Sequence, residues 1–432
     1  MTVVDIPDAQ EYYEKGEKPT DGTVGYLTAE QESALKSLWI KILAHLGTMA
    51  DKPLKVTCDQ VKQTPFTAAS DVSTKDAAAI ERWYEENSNT ASDPKSQTVR
   101  DKLYLDGNRK PIVPAEFKPL FQDDASVRYF SHVLWQTCML HKNPDSYLLT
   151  FLRATLWDVQ QAFEKLVFSV NWRASQAIDK LMWFGELEQN NRMMENGLTL
   201  TKGFDKFGYP IIVVRIRLNK PNERSDGDVE RFATFCLEST ARVAREYGER
   251  ATLLYDFTNF KMENVDMAFI KNLLSAIRVS YPQMYCATLL YVNSWLFSGM
   301  WKIIRGFLDP VSAKRSLVVK DINALQTFID RSQIIKEAGG DLPYVYKYMP
   351  PTFEENAKMF DSNGRKDAED AFSQAVDAFT EETKNWVSES SVSAAGSYAS
   401  ESRKEAAERF GATAQSLDQY IYARSHFERL AK

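Results

Sequence analysis

Cys236 and Arg242 stand at C-x5-R spacing in CLESTAR, the arrangement in which a thiolate attacks a phosphate wrapped by the loop between a strand and a helix. That chemistry needs backbone amides aimed at the phosphate. Here the segment has no glycine and no preceding histidine, and it falls inside a helical pattern from Asp226 to Tyr247 that stops at Gly248. Its amides are committed to helical hydrogen bonds, so the spacing reads as coincidence. Asp256, ending the apolar run ATLLYDF, has a strand-end position typical of α/β active sites, but no nucleophile or metal partner accompanies it and it reads as a turn residue. His45, His132, His141 and His426 all lie outside the strand-rich region, so no histidine triad or zinc site is expected. G-x-G-x-x-G, P-loop, G-x-S-x-G and H-E-x-x-H signatures are absent as well. The expectation is a protein without catalysis, metal or cofactor.

What remains is apolar chemistry. The chain carries no charge from Val279 to Trp301, between Arg278 and Lys302. The length suits a membrane span, but Pro282, Gln283, Asn293 and Ser294 interrupt it, which favours a strand, a break at Asn293–Ser294, and then an apolar helix over Trp295–Leu308. On that helix Leu296, Phe297, Met300, Trp301, Ile303, Ile304, Phe307 and Leu308 cover an arc of roughly 160°. Ser298, Lys302 and Arg305 form a polar stripe. Such a helix either packs as a buried crossover or closes an apolar cavity and rests on a membrane surface, where Trp295 and the basic residues suit the interface.

The elements that would position this helix follow from periodicity. Near-continuous apolar runs at Tyr209–Arg217, Ala251–Phe257, Ala287–Val292 and Ser316–Lys320 read as strands covered on both faces. Helical patterns lie between them, including Met267, Ile270, Leu273, Leu274 and Ile277, so the fold class is α/β with a mainly parallel sheet and right-handed crossovers. The organisation expected is an unstructured segment over 1–27, an amphipathic helix over 28–47 with a Thr28–Gln31 capping box and a stop at Gly47, and a mobile insertion over 48–115. A helical subdomain over 116–197, the sheet domain over 198–349 and a helical extension over 350–432 complete it. The net charge of -6 offers no basic footprint for nucleic acid, and four widely spaced cysteines suit a reducing compartment. The N-terminus shows no secretory pattern. A cytoplasmic monomer is expected, peripherally associated with membranes through transient surface contact.

LLTFLRATLWDVQQA with a following WR, GFDKFGYPIIVVR, LLYDFTNF, Tyr281–Pro282, FLDPVSAKR and the paired Gly339–Gly340 resemble the CRAL-TRIO family of lipid carriers, fungal phosphatidylinositol transfer proteins in particular. The resemblance covers nearly half the chain in order. It implies the CRAL-TRIO lipid-binding fold, a helical subdomain followed by the sheet with C-terminal helices, and makes the Trp295–Leu308 helix the gate over a lipid-filled cavity. Leu253, Tyr255, Leu289 and Tyr291 are the expected cavity wall. The ligand implied is a phospholipid or other hydrophobic lipid, bound as cargo.

The resemblance also marks where a headgroup would sit. Phosphatidylinositol-binding members carry a basic pair after FLRA, a Glu after the YP and a Lys ending the DPV segment; this chain has Thr155–Leu156, Gln283 and Arg315 there, with Lys314 adjacent. Gln283, Lys314, Arg315 and Arg153 are the headgroup candidates. Ala251 and Leu253 stand at the hydroxyl positions that hold phosphocholine in dual-specificity members, which disfavours phosphatidylcholine. Phosphatidylinositol and less polar lipids, sterol-like, squalene-like or prenoid, stay open, with haem a minor case. Three classes follow: a carrier that transfers lipid, a lipid-sensing adaptor that binds it for protein partners, and an α/β enzyme that lacks a constellation.

Overall fold

The computed structural model describes residues 8–50, 52–54, 128–189, 191–221, 226–292, 297–388 and 400–431. Within them the chain forms two compact units, one of residues 20–188 and 350–424, the other of 1–19, 189–349 and 425–432.

The first unit is helical. Its opening helix, labelled α2 because a shorter α1 over Ala9–Lys15 precedes it, spans Ala29–Met49. Thr28 Oγ1 accepts from the Gln31 amide at 3.3 Å and Gln31 Oε1 from the Thr28 amide at 3.0 Å, so the capping box starts α2 as its sequence requires. Leu35, Leu38, Trp39 and Ile42 are fully buried. The helix runs past the expected stop at Gly47, which lies exposed in the last turn and meets nothing within 4 Å, so neither packing nor a left-handed cap ends it there. Helices α3 (Phe130–Cys138), α4 (Pro144–Ala154) and α5 (Val159–Ser175) pack with α2.

Two long helices from the far end of the chain, α10 (Ser362–Ser388) and α11 (Glu401–Ile421), complete this core. Trp39, Trp135, Phe379 and Phe410 form an aromatic cluster with centroids 5.7 to 6.3 Å apart. Inside it the Arg403 guanidinium grips Asp145 with both arms, at 2.6 and 2.9 Å, while Trp39 Nε1 donates to the same carboxylate at 2.6 Å. The tail helices therefore share one core with the N-terminal helices, and the expected extension over 350–432 is corrected: 350–424 belong to the helical unit and 425–432 to the other.

The second unit holds a five-stranded sheet in sequential order: β1 (Thr199–Phe204), β2 (Pro210–Arg215), β3 (Ala251–Asp256), β4 (Tyr285–Tyr291) and β5 (Ser316–Val319). Strands β2 to β5 are parallel, and β1 pairs antiparallel with β2 through the FDKFGY turn. The edge strand β1 escaped the sequence reading because its alternation, Leu198 to Thr201, lasts only four residues before Lys202 and Gly203 break it. Crossovers are α6 (Asp226–Glu246), α7 (Met267–Ser280), α8 (Phe297–Arg305) and the short α9 (Pro310–Arg315), which Asp309 caps by accepting from Val311 and Ser312 amides. The paired glycines have a steric reason. Gly339 is left-handed at φ 89°, and a Cβ on Gly340 would meet the Ile334 carbonyl at 2.0 Å.

The expectation that 1–27 is unstructured is corrected over the described part. Asp8 caps α1, Gly16 ends it at φ 68°, and Ala9 and Tyr13, four apart on one face, are buried in this unit. Tyr13 Oη donates to Asp205 at 2.5 Å, so a stretch that is polar overall is anchored by one buried tyrosine with Ala9 on the same face. Apart from 48–50 and 52–54, where Pro53–Leu54 pair with Arg128–Tyr129, the insertion expected over 48–115 lies outside the described residues.

Candidate binding cavity

One face of the sheet, roofed by three helices, forms an apolar cavity of about 130 Å³ that opens to solvent at its mouth. Ile212, Val214, Leu253, Tyr255, Thr288 and Leu290 line it from the strands. The α6 stripe Phe232, Ala233, Cys236, Leu237 and Thr240 and the α7 stripe Phe269, Ile270, Leu273, Leu274 and Ile277 repeat the same helical spacing, each presenting one face inward. Asp266 is the only charged residue among the described lining, and its carboxylate caps α7 by accepting from the Phe269 amide at 2.8 Å.

Leu253 and Tyr255 are thus in the wall. Leu289 and Tyr291 are not: they pack on the opposite face with Val213, Leu254 and Phe328, and the wall expected there is corrected to Thr288 and Leu290. The reason is the two-residue period of a strand, which a run apolar on both faces conceals.

The apolar helix closes one side. Trp301, Ile304 and Leu308 line the cavity, and Phe297 is buried against Phe257, with centroids 4.7 Å apart, and stacked on Trp301. The helix is shorter than the expected Trp295–Leu308, and residues 306–308 form a turn. Trp295 and Leu296 lie outside the described residues; of Met300 only its place in α8 is described. The broad apolar arc divides between two environments. Ile304 is 6% exposed, whereas Ile303 is 56% exposed and Phe307 38%, on the outer side with exposed Lys302 and Arg305. Phe307 therefore lies outside the wall, with Lys271 5.9 Å from its ring centre.

The thiol expected to be inert is placed accordingly. Cys236 faces the cavity from within α6, burial pushes its pKa up, and Arg242 pairs with Glu428 at 3.1 Å. Burial likewise raises the Tyr255 and Tyr285 phenols, which stay protonated. Asp256, read as a turn residue, is instead the buried last residue of β3, paired with Arg217 at 2.8 Å and accepting from the Thr258 amide and hydroxyl.

The headgroup candidates do not all converge. Gln283 and Arg315 meet, with Arg315 Nη2 donating to Gln283 Oε1 at 3.3 Å and Nη1 to the Tyr285 carbonyl at 3.4 Å. Burial, with Arg250 beside it, pulls the Arg315 pKa down to about 10. Lys314 is exposed. Arg153 belongs to the helical unit, where it donates to the Gly22 carbonyl at 2.7 Å. Arg250 was marked by no motif: a lone arginine before a strand carries no signal in one sequence.

The second unit thus combines a mostly parallel sheet with an apolar, almost uncharged cavity closed on one side by α8, a concave site of the kind that takes an apolar ligand. Residues 194–340 match the CRAL/TRIO domain, so this stretch of the chain carries a CRAL/TRIO domain. A CRAL-TRIO domain-containing protein of Schizosaccharomyces pombe is 29% identical over 67% of this chain and 65% of its own length, so the match spans just under two thirds of that relative. The phosphatidylinositol transfer protein CSR1 of Eremothecium gossypii is 25% identical over 94% of this chain and 97% of its own. The crystal structure of Sfh5 overlays with a TM-score of 0.38 at 15% identity, covering 64% of this chain and 90% of that one, too slight a likeness to argue from. No helix among the described residues is long and apolar enough to cross a membrane.

Proposed function

We propose that the protein is a non-enzymatic lipid carrier, which holds the apolar body of one lipid, phosphatidylinositol or a less polar species, in the cavity beneath α8 and exchanges it at membrane surfaces. The observation that carries this reading is the two-sided α8 with the turn that follows it: Trp301 and Ile304 face the cavity while Ile303 on the helix and Phe307 in the turn face outward beside Lys302 and Arg305. A helix with that division can seal a ligand and then rest its outer residues on a bilayer, the basic side chains meeting acidic headgroups.

The apolar lining is a physical requirement. A two-chain phospholipid carries on the order of 30 methylenes, and at about 0.8 kcal/mol each, roughly 25 kcal/mol of burial must be matched before it leaves a bilayer. Native mass spectrometry of the purified chain, with extraction and identification of what accompanies it, is the test. One stoichiometric lipid that the chain also moves between vesicles is the expected result. Stoichiometric lipid without transfer would instead make it a sensing adaptor, and an empty folded chain that takes up no lipid would refute the carrier reading.

A further inference from the structure

The cavity lining is apolar and almost uncharged, yet its polar members are unevenly placed. Where β2 and β3 end, Asn219, Asn264 and Asp266 are engaged within the fold itself. Asn219 Nδ2 donates to the Asn264 carbonyl at 2.8 Å, Asn264 Nδ2 donates back to the Asn219 carbonyl at 2.9 Å, and Asp266 caps α7. The other end is different. There the Tyr285 phenol has around it the Cys236 thiol and the Thr240 hydroxyl, one turn apart on α6, and the Tyr255 phenol from β3, all four residues lining the cavity.

Thr240 is 1% exposed, and although it lies beside the Tyr285 phenol, its Oγ1 has no hydrogen-bond partner among the described residues. Buried threonines in helices commonly return the hydroxyl to the carbonyl one turn back, as Thr234 does to Glu230 on the same helix at 2.9 Å and Thr137 does to Val133 at 2.6 Å. Thr240 does not. A hydroxyl left unmatched in a cavity wall is a cost that packing by itself does not explain.

Tyr285 reaches this space because β4 carries a bulge. Ala251 pairs with Tyr285, whereas the next residue, Thr252, pairs with Ala287, so Cys286 is an extra residue in the strand. Without it, the two-residue period that puts Thr288 and Leu290 in the wall would turn Tyr285 to the opposite face, where Cys286, Ala287 and Leu289 pack. The irregularity therefore aims one phenol into the cavity.

The chemistry of an acceptable partner follows from the groups present. All four are neutral, because burial raises both phenols and the Cys236 thiol. No cation lies in the described lining, so an ionised phosphate placed here would be buried unpaired. Hydroxyls and phenols both donate and accept, which matches a neutral ligand group that does the same. The headgroup candidates Gln283, Lys314, Arg315 and Arg153 are separate from this cluster, since none of them is in the described lining.

We propose that Thr240, Tyr255 and Tyr285 form a hydroxyl-reading site at this end of the cavity, and that the cargo is a lipid alcohol, a long-chain or polycyclic hydrocarbon body whose single hydroxyl lodges among them. The inference rests on the carrier reading for the body of the ligand and adds the group by which the ligand is chosen.

The delipidated full chain is offered phosphatidylcholine vesicles doped with equal amounts of geranylgeraniol and its deoxy hydrocarbon, and of cholesterol and cholestene. The lipid taken up is identified by native mass spectrometry and solvent extraction. Matching a buried hydroxyl rather than leaving it unmatched is worth roughly 5- to 100-fold in affinity. The wild type should therefore take one of the alcohols over its own hydrocarbon by roughly fivefold or more. Thr240→Val with Tyr285→Phe should bring that ratio close to parity without lowering hydrocarbon uptake, and Thr240→Ser should keep it. In the empty chain Thr240→Val should leave the urea midpoint unchanged or raise it, because the hydroxyl it removes supports nothing in the fold; a lowered midpoint would make Thr240 structural and overturn its role. An alcohol preference that survives the double variant would overturn the site, as would a wild type that takes alcohol and hydrocarbon alike or takes only the phospholipid. Each of those results leaves the carrier reading standing. A folded chain that takes up no lipid refutes the carrier reading and this inference with it. If the double variant does not fold, Thr240→Val alone decides.

Discussion

Ile303 and Ile304 are neighbours on α8 with opposite surroundings, and replacing each by Asp tests whether this helix is a lid. Ile304 is 6% exposed and lines the cavity; Ile303 is 56% exposed. Ile304→Asp forfeits about 1.5–3 kcal/mol of apolar burial, and its carboxylate, with no cation in the described lining, adds a desolvation cost of several kcal/mol. A total near 5 kcal/mol lowers the closed population by a factor of roughly 10³ to 10⁴, at about 1.4 kcal/mol per tenfold. The helix can escape this cost by swinging the carboxylate into water, so the variant should stay folded by circular dichroism yet arrive without lipid in native mass spectrometry. Adding Phe297→Asp should remove any remaining occupancy, because Phe297 packs on Phe257 and Trp301 in the same contact. Ile303→Asp should keep full occupancy and slow transfer between vesicles several-fold, since it alters only the outward face. Wild-type occupancy and transfer in Ile304→Asp would refute the lid, and so would loss of lipid from Ile303→Asp alone.

Two further outcomes concern stability. Asp145→Asn leaves the fully buried Arg403 charge unpaired and should cost about 3–5 kcal/mol in urea unfolding, whereas Asp145→Leu with Arg403→Met should cost far less; equal losses would contradict the assignment. His426 is buried with Tyr346 and Tyr348 rings 5.3 Å away, and burial, with Arg429 nearby, pulls its pKa down to about 3 from 6.5. Between those values the unfolded chain binds the extra proton, so His426 destabilises the fold as pH falls, by about 1.4 kcal/mol per pH unit below 6.5. Urea midpoints at pH 7 and pH 5 should converge in His426→Phe relative to the wild type; an unchanged difference would refute the linkage.

Several features were legible before any coordinates. The Thr28–Gln31 box, the stripe of Leu35, Leu38, Trp39 and Ile42, the four parallel strands and the helices between them all follow from local periodicity. So does the dismissal of Cys236 as a nucleophile, because a helix commits its own amides wherever it packs. Other features were hidden for definite reasons. An N-terminal stretch rich in Glu, Lys and Asp conceals that Ala9 and Tyr13 share a face, and only the presence of Asp205 turns that face into an anchor.

The sequence by itself determined the alternation of strands and helices and the uncharged run ending in α8, since each depends on residue type and short-range spacing. Tertiary structure alone decided which residues meet. It put Thr288 and Leu290, rather than Leu289 and Tyr291, in the cavity wall, because a strand apolar on both faces does not declare its register. It brought Arg403 to Asp145 across 258 positions and Arg250 to the edge where Arg315 and Gln283 meet, pairings set by packing and strand order, which no local pattern in the chain encodes.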